Sequence, residues 1–140
     1  MPVTAAADNR DIIARIIEPA CVAVIGATED TSKYGGRVID HLVRHEFTGR
    51  IVPVNPGRKT IFDIPAVPSI LEAGCEVDVA LLAVPSDGLE AAIDQCVQAG
   101  VKCGVIISSG LGEQDEAGKR REEGLVRAAR TGGMRLLGPN

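Results

Sequence analysis

The residues whose types and spacing suit chemistry begin at Gly26. The stretch Gly26-Ala-Thr-Glu-Asp-Thr-Ser-Lys-Tyr-Gly-Gly36 is rich in small and hydroxyl-bearing residues and comes after a short apolar run. Where such a loop runs into a helix, free backbone N–H groups and the positive end of the helix dipole favour a phosphate. Thr28, Thr31 and Ser32 add hydroxyl donors, and Lys33 adds a positive charge. The pattern is neither Gly-x-Gly-x-x-Gly nor a P-loop ending in Lys-Ser/Thr. Taken alone it reads equally well as a polar loop closed by a glycine pair.

A second segment, Asn55-Pro-Gly-Arg-Lys59, narrows the ligand class. A NAD site usually has Asp or Glu here to accept from the ribose hydroxyls. Arg58 and Lys59 are cations instead, which suits a phosphorylated ribose, as in NADP or coenzyme A. The bland alternative is a solvated basic turn.

Other candidates are weaker. His41 and His45 lie four apart on a helix with Arg37, Asp40 and Arg44, and that company makes a solvated face the better reading than a metal pair. Ser108-Ser109-Gly110 lacks the nucleophile-elbow pattern and has no histidine near it in sequence. The run Lys119-Arg-Arg-Glu-Glu123 alternates in sign and reads as an exposed helix side. Cys21, Cys75, Cys96 and Cys103 form no Cys-x-x-Cys pair. They read as small core residues in a reducing compartment rather than as a disulfide or zinc set.

These loops need elements to hold them. Cys21-Val-Ala-Val-Ile25 is apolar on both faces, as an interior parallel strand must be. Gly35-Gly36 open an amphipathic helix to about Phe47, with Val38, Ile39, Leu42 and Val43 on one face. Further strands are expected at Arg50 to Val54, Val77 to Val84, Lys102 to Ser108 and Met134 to Leu137. Between them lie an edge excursion over Lys59 to Pro68, a brief helix near Ser69 to Ala73, and a helix capped by Ser86-Asp87 that runs to Ala99. In that helix Leu89, Ile93, Cys96 and Val97 point inward. A charged helix spans about Glu113 to Arg130. Residues 1–18 read as a loose leader and a short helix from Asp11, ended by Pro19, and residues 19–140 as the domain proper.

Alternating strand and helix calls for a parallel sheet with right-handed crossovers. The expected fold is a single α/β domain of three layers, α/β/α, with a Rossmann-like doubly wound parallel sheet. Its 140 residues bury a real core, built from Val, Ile, Leu and Ala because aromatics are only 2% of the chain. A net charge of −4 without a basic stripe or stacking aromatics argues against nucleic acid. No apolar run reaches a membrane span and the N-terminus has no secretory pattern, so a cytoplasmic protein is expected. In doubly wound sheets ligands sit beyond the carboxyl ends of the strands. That rule selects Gly26 to Gly36, Asn55 to Lys59, Val84 to Asp87, Ser108 to Gly112 and Gly138 to Asn140.

Five runs occur in an order that matches a known family: Val-Ile-Gly-Ala-Thr, Gly-Arg-Ile-Val-Pro-Val-Asn-Pro, Val-Asp-Val-Ala-Leu-Leu-Ala-Val-Pro, Ile-Ile-Ser-Ser-Gly-Leu-Gly-Glu and Met-Arg-Leu-Leu-Gly-Pro-Asn. From Pro19 to Asn140 the chain resembles the N-terminal CoA-binding domain of the NDP-forming (ADP-forming) acyl-CoA synthetases, kin of the succinyl-CoA synthetase α subunit. The resemblance implies coenzyme A as the bound cofactor. It implies Gly26, Thr28, Ser32, Lys33 and Gly35 around the CoA diphosphate, and Arg58, after Asn55-Pro56-Gly57, beside the nucleotide phosphates. Val84, Pro85 and Ser86 would flank the CoA, as would Ile107, Ser108 and Ser109, with Asn140 near the thiol end. The glutamate that the succinyl-CoA synthetase α pattern has is replaced here by Ser109, which favours the acyl-CoA synthetase branch. The family's phosphorylated histidine belongs to a later domain, and neither His41 nor His45 matches it. The resemblance therefore implies a domain that binds CoA or acyl-CoA without turning it over, with further ligase domains or subunits as partners. A CoA-sensing regulatory domain of a larger acyltransferase and an NADP-binding oxidoreductase domain are the alternatives.

Overall fold

A computed structural model describes residues 5–107 and 115–138, with side chains from residue 11 onward. Its central strands are β1 (Cys21–Ile25), β2 (Arg50–Val54), β5 (Val79–Leu82), β6 (Cys103–Ile106) and β7 (Arg135–Leu137). They form a five-stranded sheet, parallel throughout and ordered β2-β1-β5-β6-β7. Every residue of β1 is buried: β2 and β5 pair along its two edges, and the two faces of the sheet are covered. Pro53 is tolerated inside β2 because that strand closes one edge of the sheet, where a missing N–H breaks no central ladder.

Alternation along β1 divides the core between the two faces. Cys21, Ala23 and Ile25 face α3 (Leu89–Gln98) and α4 (Glu116–Thr131), meeting Leu89, Ile93, Cys96, Leu125 and Ala129. Val24 faces the other way, with Ile39 of α2 (Tyr34–Arg44). Helices therefore cover both faces of a parallel sheet, the expected three-layer Rossmann-like architecture. The edge excursion is a hairpin of β3 (Thr60–Ile61) and β4 (Ile64–Pro65), turned by Phe62 and Asp63. Both turn residues have positive φ, 48° and 61°, as a two-residue turn between twisted strands requires.

Several element boundaries differ from expectation. Helix α1 (Ala5–Ile17) begins six residues before Asp11. Ile12 is buried, and Arg15 bonds the buried carboxylate of Asp78 at 3.1 Å and the exposed carboxylate of Glu76 at 2.5 Å, so the helix is fastened to the domain. Val43 is half exposed rather than packed with Ile39, and α2 ends at Arg44 rather than near Phe47. Ser86-Asp87 do not cap α3. They form a 3₁₀ turn, Ser86–Gly88, and the cap position falls on Gly88 without a side-chain bond. Strand β5 is half the length of its apolar run; just before it the Asp78 carboxylate accepts from the N–H groups of Ala20 (2.9 Å) and Cys21 (3.1 Å). The charged helix starts at Glu116, where Asp115 accepts from the Gly118 N–H at 2.7 Å.

Candidate functional site

The loop after β1 owes its path to two glycines. Gly26 has φ +87°, and a Cβ there would meet the carbonyl oxygen of Ala83, at the end of β5, at 2.4 Å. At Gly35, in the first turn of α2, a Cβ would lie 2.0 Å from the Gly26 oxygen. Only bare backbone lets the helix start seat this closely on the strand end.

Within the loop, short hydrogen bonds fix the backbone. Thr28 Oγ1 accepts from the Asp30 N–H at 3.2 Å, and Asp30 Oδ1 accepts from the Ser32 N–H (3.0 Å) and hydroxyl (2.6 Å). The Ser32 hydroxyl draws the Asp30 carboxyl below its ordinary range, helped by the Ser32 N–H. Arg37 donates to the carbonyls of Thr31 (3.4 Å) and Ser32 (3.2 Å) and lies over the Tyr34 ring. The expected hydroxyl donors are thus unequal. Ser32 spends its hydrogen on Asp30, whereas Thr28 donates to no group among the described residues.

Lys33 occupies the cap position of α2 with extended backbone, and no described side chain caps the helix. Its first-turn amides are left for a ligand. Gly35 and Gly36 are buried behind the wall, and Tyr34 carries the turn to a cleft of about 620 Å³ at the carboxyl edge of the sheet. Eight of the sequence-predicted residues line it: Gly26, Thr28, Ser32, Lys33, Asn55, Val84, Pro85 and Ser86. Ala27, Tyr34 and Ala83 complete the wall. Tyr34 is half exposed, and no sequence signal singled it out.

Asn55 ties the two loops together. Its Nδ2 donates to the Ala27 carbonyl at 2.9 Å, and its Oδ1 accepts from the Gly57 N–H at 2.8 Å. Arg58 lies outside this wall. Its guanidinium pairs with Glu29 Oε2 at 3.0 Å, while Glu29 Oε1 accepts from the Phe62 N–H of the hairpin turn at 3.0 Å. Pro56 is exposed and also off the wall. Ile107 comes after β6, half-buried, and donates its N–H to Leu82 at 3.1 Å. Ser108, Ser109 and Asn140 lie outside the described residues.

One wall is braced from a distance. Arg121 of α4 donates to the Ser86 carbonyl and grips Glu90 through Nε (2.5 Å) and Nη2 (2.7 Å). That pairing lowers the Glu90 carboxyl and raises the Arg121 guanidinium. The alternating signs of that run suggest a solvated face; Arg121 instead turns onto the start of α3. His41 and His45 are both exposed with rings stacked 5.9 Å apart. No group of three metal-ligating side chains occurs among the described residues.

Fold and cleft define a Rossmann-like domain with a ligand cleft at the carboxyl edge of its parallel sheet. A family model described as a CoA binding domain matches residues 20–140. The chain is 41% identical over 133 residues to acetate–CoA ligase (ADP-forming) I subunit alpha of Pyrococcus furiosus, covering 89% of this chain and 28% of that protein. It is 39% identical over 122 residues to acetate–CoA ligase (ADP-forming) II of Archaeoglobus fulgidus, covering 87% of this chain and 18% of that protein. A solved dinucleotide-forming acetyl-coenzyme A synthetase 1 from Ca. Korarchaeum cryptofilum, in complex with phosphate and ADP, superposes with a TM-score of 0.87 at 39% identity. That match covers 91% of this chain and 27% of the other. The chain belongs to the CoA-binding domain family. It spans less than a third of the length of these relatives. No described helix is long and apolar enough to cross a membrane.

Proposed function

We propose that this chain is the CoA-binding module of a cytoplasmic ADP-forming acid–CoA ligase, and that it binds and orients CoA or acyl-CoA for chemistry performed by other domains or subunits. One observation carries the reading: the uncapped first turn of α2, seated on Gly26 and Gly35 with Lys33 beside it. A diphosphate needs N–H donors, close backbone approach and a nearby cation, and these residues supply all three. Thr28 adds a hydroxyl donor. Ser32 contributes through its place on the wall, since its hydroxyl holds Asp30. Val84, Pro85 and Ser86 form the side along which the pantetheine arm lies; the family resemblance assigns Ile107, Ser108 and Ser109 to flank the CoA and Asn140 to its thiol end. Asn55 and Pro56 shape the nucleotide end. Arg58 reaches the 3′-phosphate by exchanging Glu29 for it, two exposed partners whose mutual attraction is weak in water.

Isothermal titration with CoA and 3′-dephospho-CoA tests this. Binding of CoA is expected, several-fold weaker binding of the dephospho form, and loss of that difference in Arg58→Ala. Absence of CoA binding would sink the proposal. Equal affinity for the two ligands would remove Arg58 from it.

A further inference from the structure

At the opposite end of β1 from the cleft, two thiols meet. Cys21 opens the strand and is buried, and Cys75 lies just past the 3₁₀ turn Ile70–Glu72, half-buried. Their Sγ atoms lie 3.4 Å apart, although 54 residues separate them in sequence. A disulfide requires about 2.05 Å and a dihedral near 90°, so the two sulfurs, 3.4 Å apart, need a further approach of about 1.4 Å. The Cys75 side can make that move. Gly74 precedes it in a left-handed turn, φ +70°, with open space where a Cβ would stand. Its own accessibility also admits a small oxidant, which the buried Cys21 does not.

We propose that Cys21 and Cys75 form an oxidisable dithiol, closed to an intramolecular disulfide by a small-molecule disulfide and reopened by a reducing thiol. The thiolate of Cys75 attacks the oxidant, forming a mixed disulfide and releasing one thiolate. Cys21 Sγ then attacks Cys75 Sγ and displaces the second, its proton passing to that leaving group. Two protein thiols are oxidised, two hydrogens leave the protein, and one disulfide becomes two free thiols. Burial pushes the Cys21 thiol up to about 12, so the second step is the slow one. The crosslink staples the start of β1 to the turn before β5, beside the Asp78 carboxylate that already holds the Ala20 and Cys21 amides. It closes a long loop, which narrows the unfolded ensemble and raises thermal stability.

The test is incubation of the full chain with oxidised glutathione, then alkylation in denaturant, intact mass measurement and non-reducing peptide mapping. The expected product has lost two hydrogens, carries a Cys21–Cys75 linked peptide, leaves Cys96 and Cys103 to alkylate, melts at higher temperature and reverts with dithiothreitol. Cys75→Ala, a change at the half-buried partner, keeps the fold by circular dichroism and forms no such link. A persistent glutathione adduct on Cys75, a dimer joined through Cys75, or a protein that still alkylates at all four cysteines would overturn the proposal.

Discussion

Replacing Gly35 by alanine sets helix propensity against steric contact in one experiment. Gly35 is the second residue of α2, and Gly124 sits inside α4. Propensity alone favours alanine at either position, by roughly 0.5–1 kcal/mol for an interior one. The surroundings of the two glycines are opposite. A Cβ at Gly124 meets nothing within 4 Å, whereas one at Gly35 falls 2.0 Å from the Gly26 carbonyl oxygen. Ordinary contacts of this kind begin near 3.4 Å, and the obstacle is backbone that cannot rotate away. The start of α2 must therefore lift by about 1 Å, a packing strain of about 1–3 kcal/mol. Urea denaturation of both variants reads the signs. Gly124→Ala is expected to stabilise by up to about 1 kcal/mol, and Gly35→Ala to destabilise by about 1–3 kcal/mol. Gly35→Ala is also expected to bind CoA at least tenfold more weakly, because the same lift moves the open amides. A Gly35→Ala protein as stable as wild type, with unchanged CoA affinity, would refute the claim that this close approach builds the site.

The same geometry leads to three further expected outcomes. Asp78→Ala removes the acceptor for two backbone amides and the buried one of Arg15's carboxylate partners, and should lower stability by about 3 kcal/mol in urea titrations. Burial raises the thiols of Cys96 and Cys21 from 9.0 to about 12, and that of Cys103 in the same direction. The stability these groups contribute is complete below pH 9 and is lost as pH climbs toward 12, because the unfolded chain ionises first. Thermal melts at stepped alkaline pH should show that decline, and Cys96→Ala should flatten it. Arg121→Ala frees the Ser86 carbonyl and Glu90, and should weaken CoA binding several-fold by titration calorimetry. Since Glu90 is held below its ordinary range, the Arg121 pairing is present at neutral pH and fades as pH falls through the carboxylate range.

The strands were legible because continuous apolar runs such as Cys21 to Ile25 and Val79 to Leu82 have no other stable place than between helix layers. Helix α1 was legible only from Asp11 onward, since residues 5–10 carry no apolar period to mark a helix start. Most of the cleft could be read from the rule that ligands sit at carboxyl strand ends, which needs only strand order and loop composition. The environment of Arg58 could not. Its partner Glu29 lies in another loop and is set by a hairpin turn whose positive φ values no local pattern announces. Arg121 was hidden for a different reason. Its run of alternating charges looks solvated, and only the crossing of α4 over the start of α3 brings its guanidinium to Ser86. The meeting of Cys21 with Cys75 is likewise a product of topology, since β5 lies beside β1.

The most direct test of CoA binding at this cleft is a CoA titration read by amide chemical shifts on the isotope-labelled chain. The largest changes should fall on Gly26, Thr28, Tyr34, Gly35 and Gly36, with a second set at Ser86, and Lys33→Ala should weaken the midpoint by about tenfold or more. Shifts concentrated instead along α3 and α4, with the α2 first-turn amides unmoved at saturation, would contradict it.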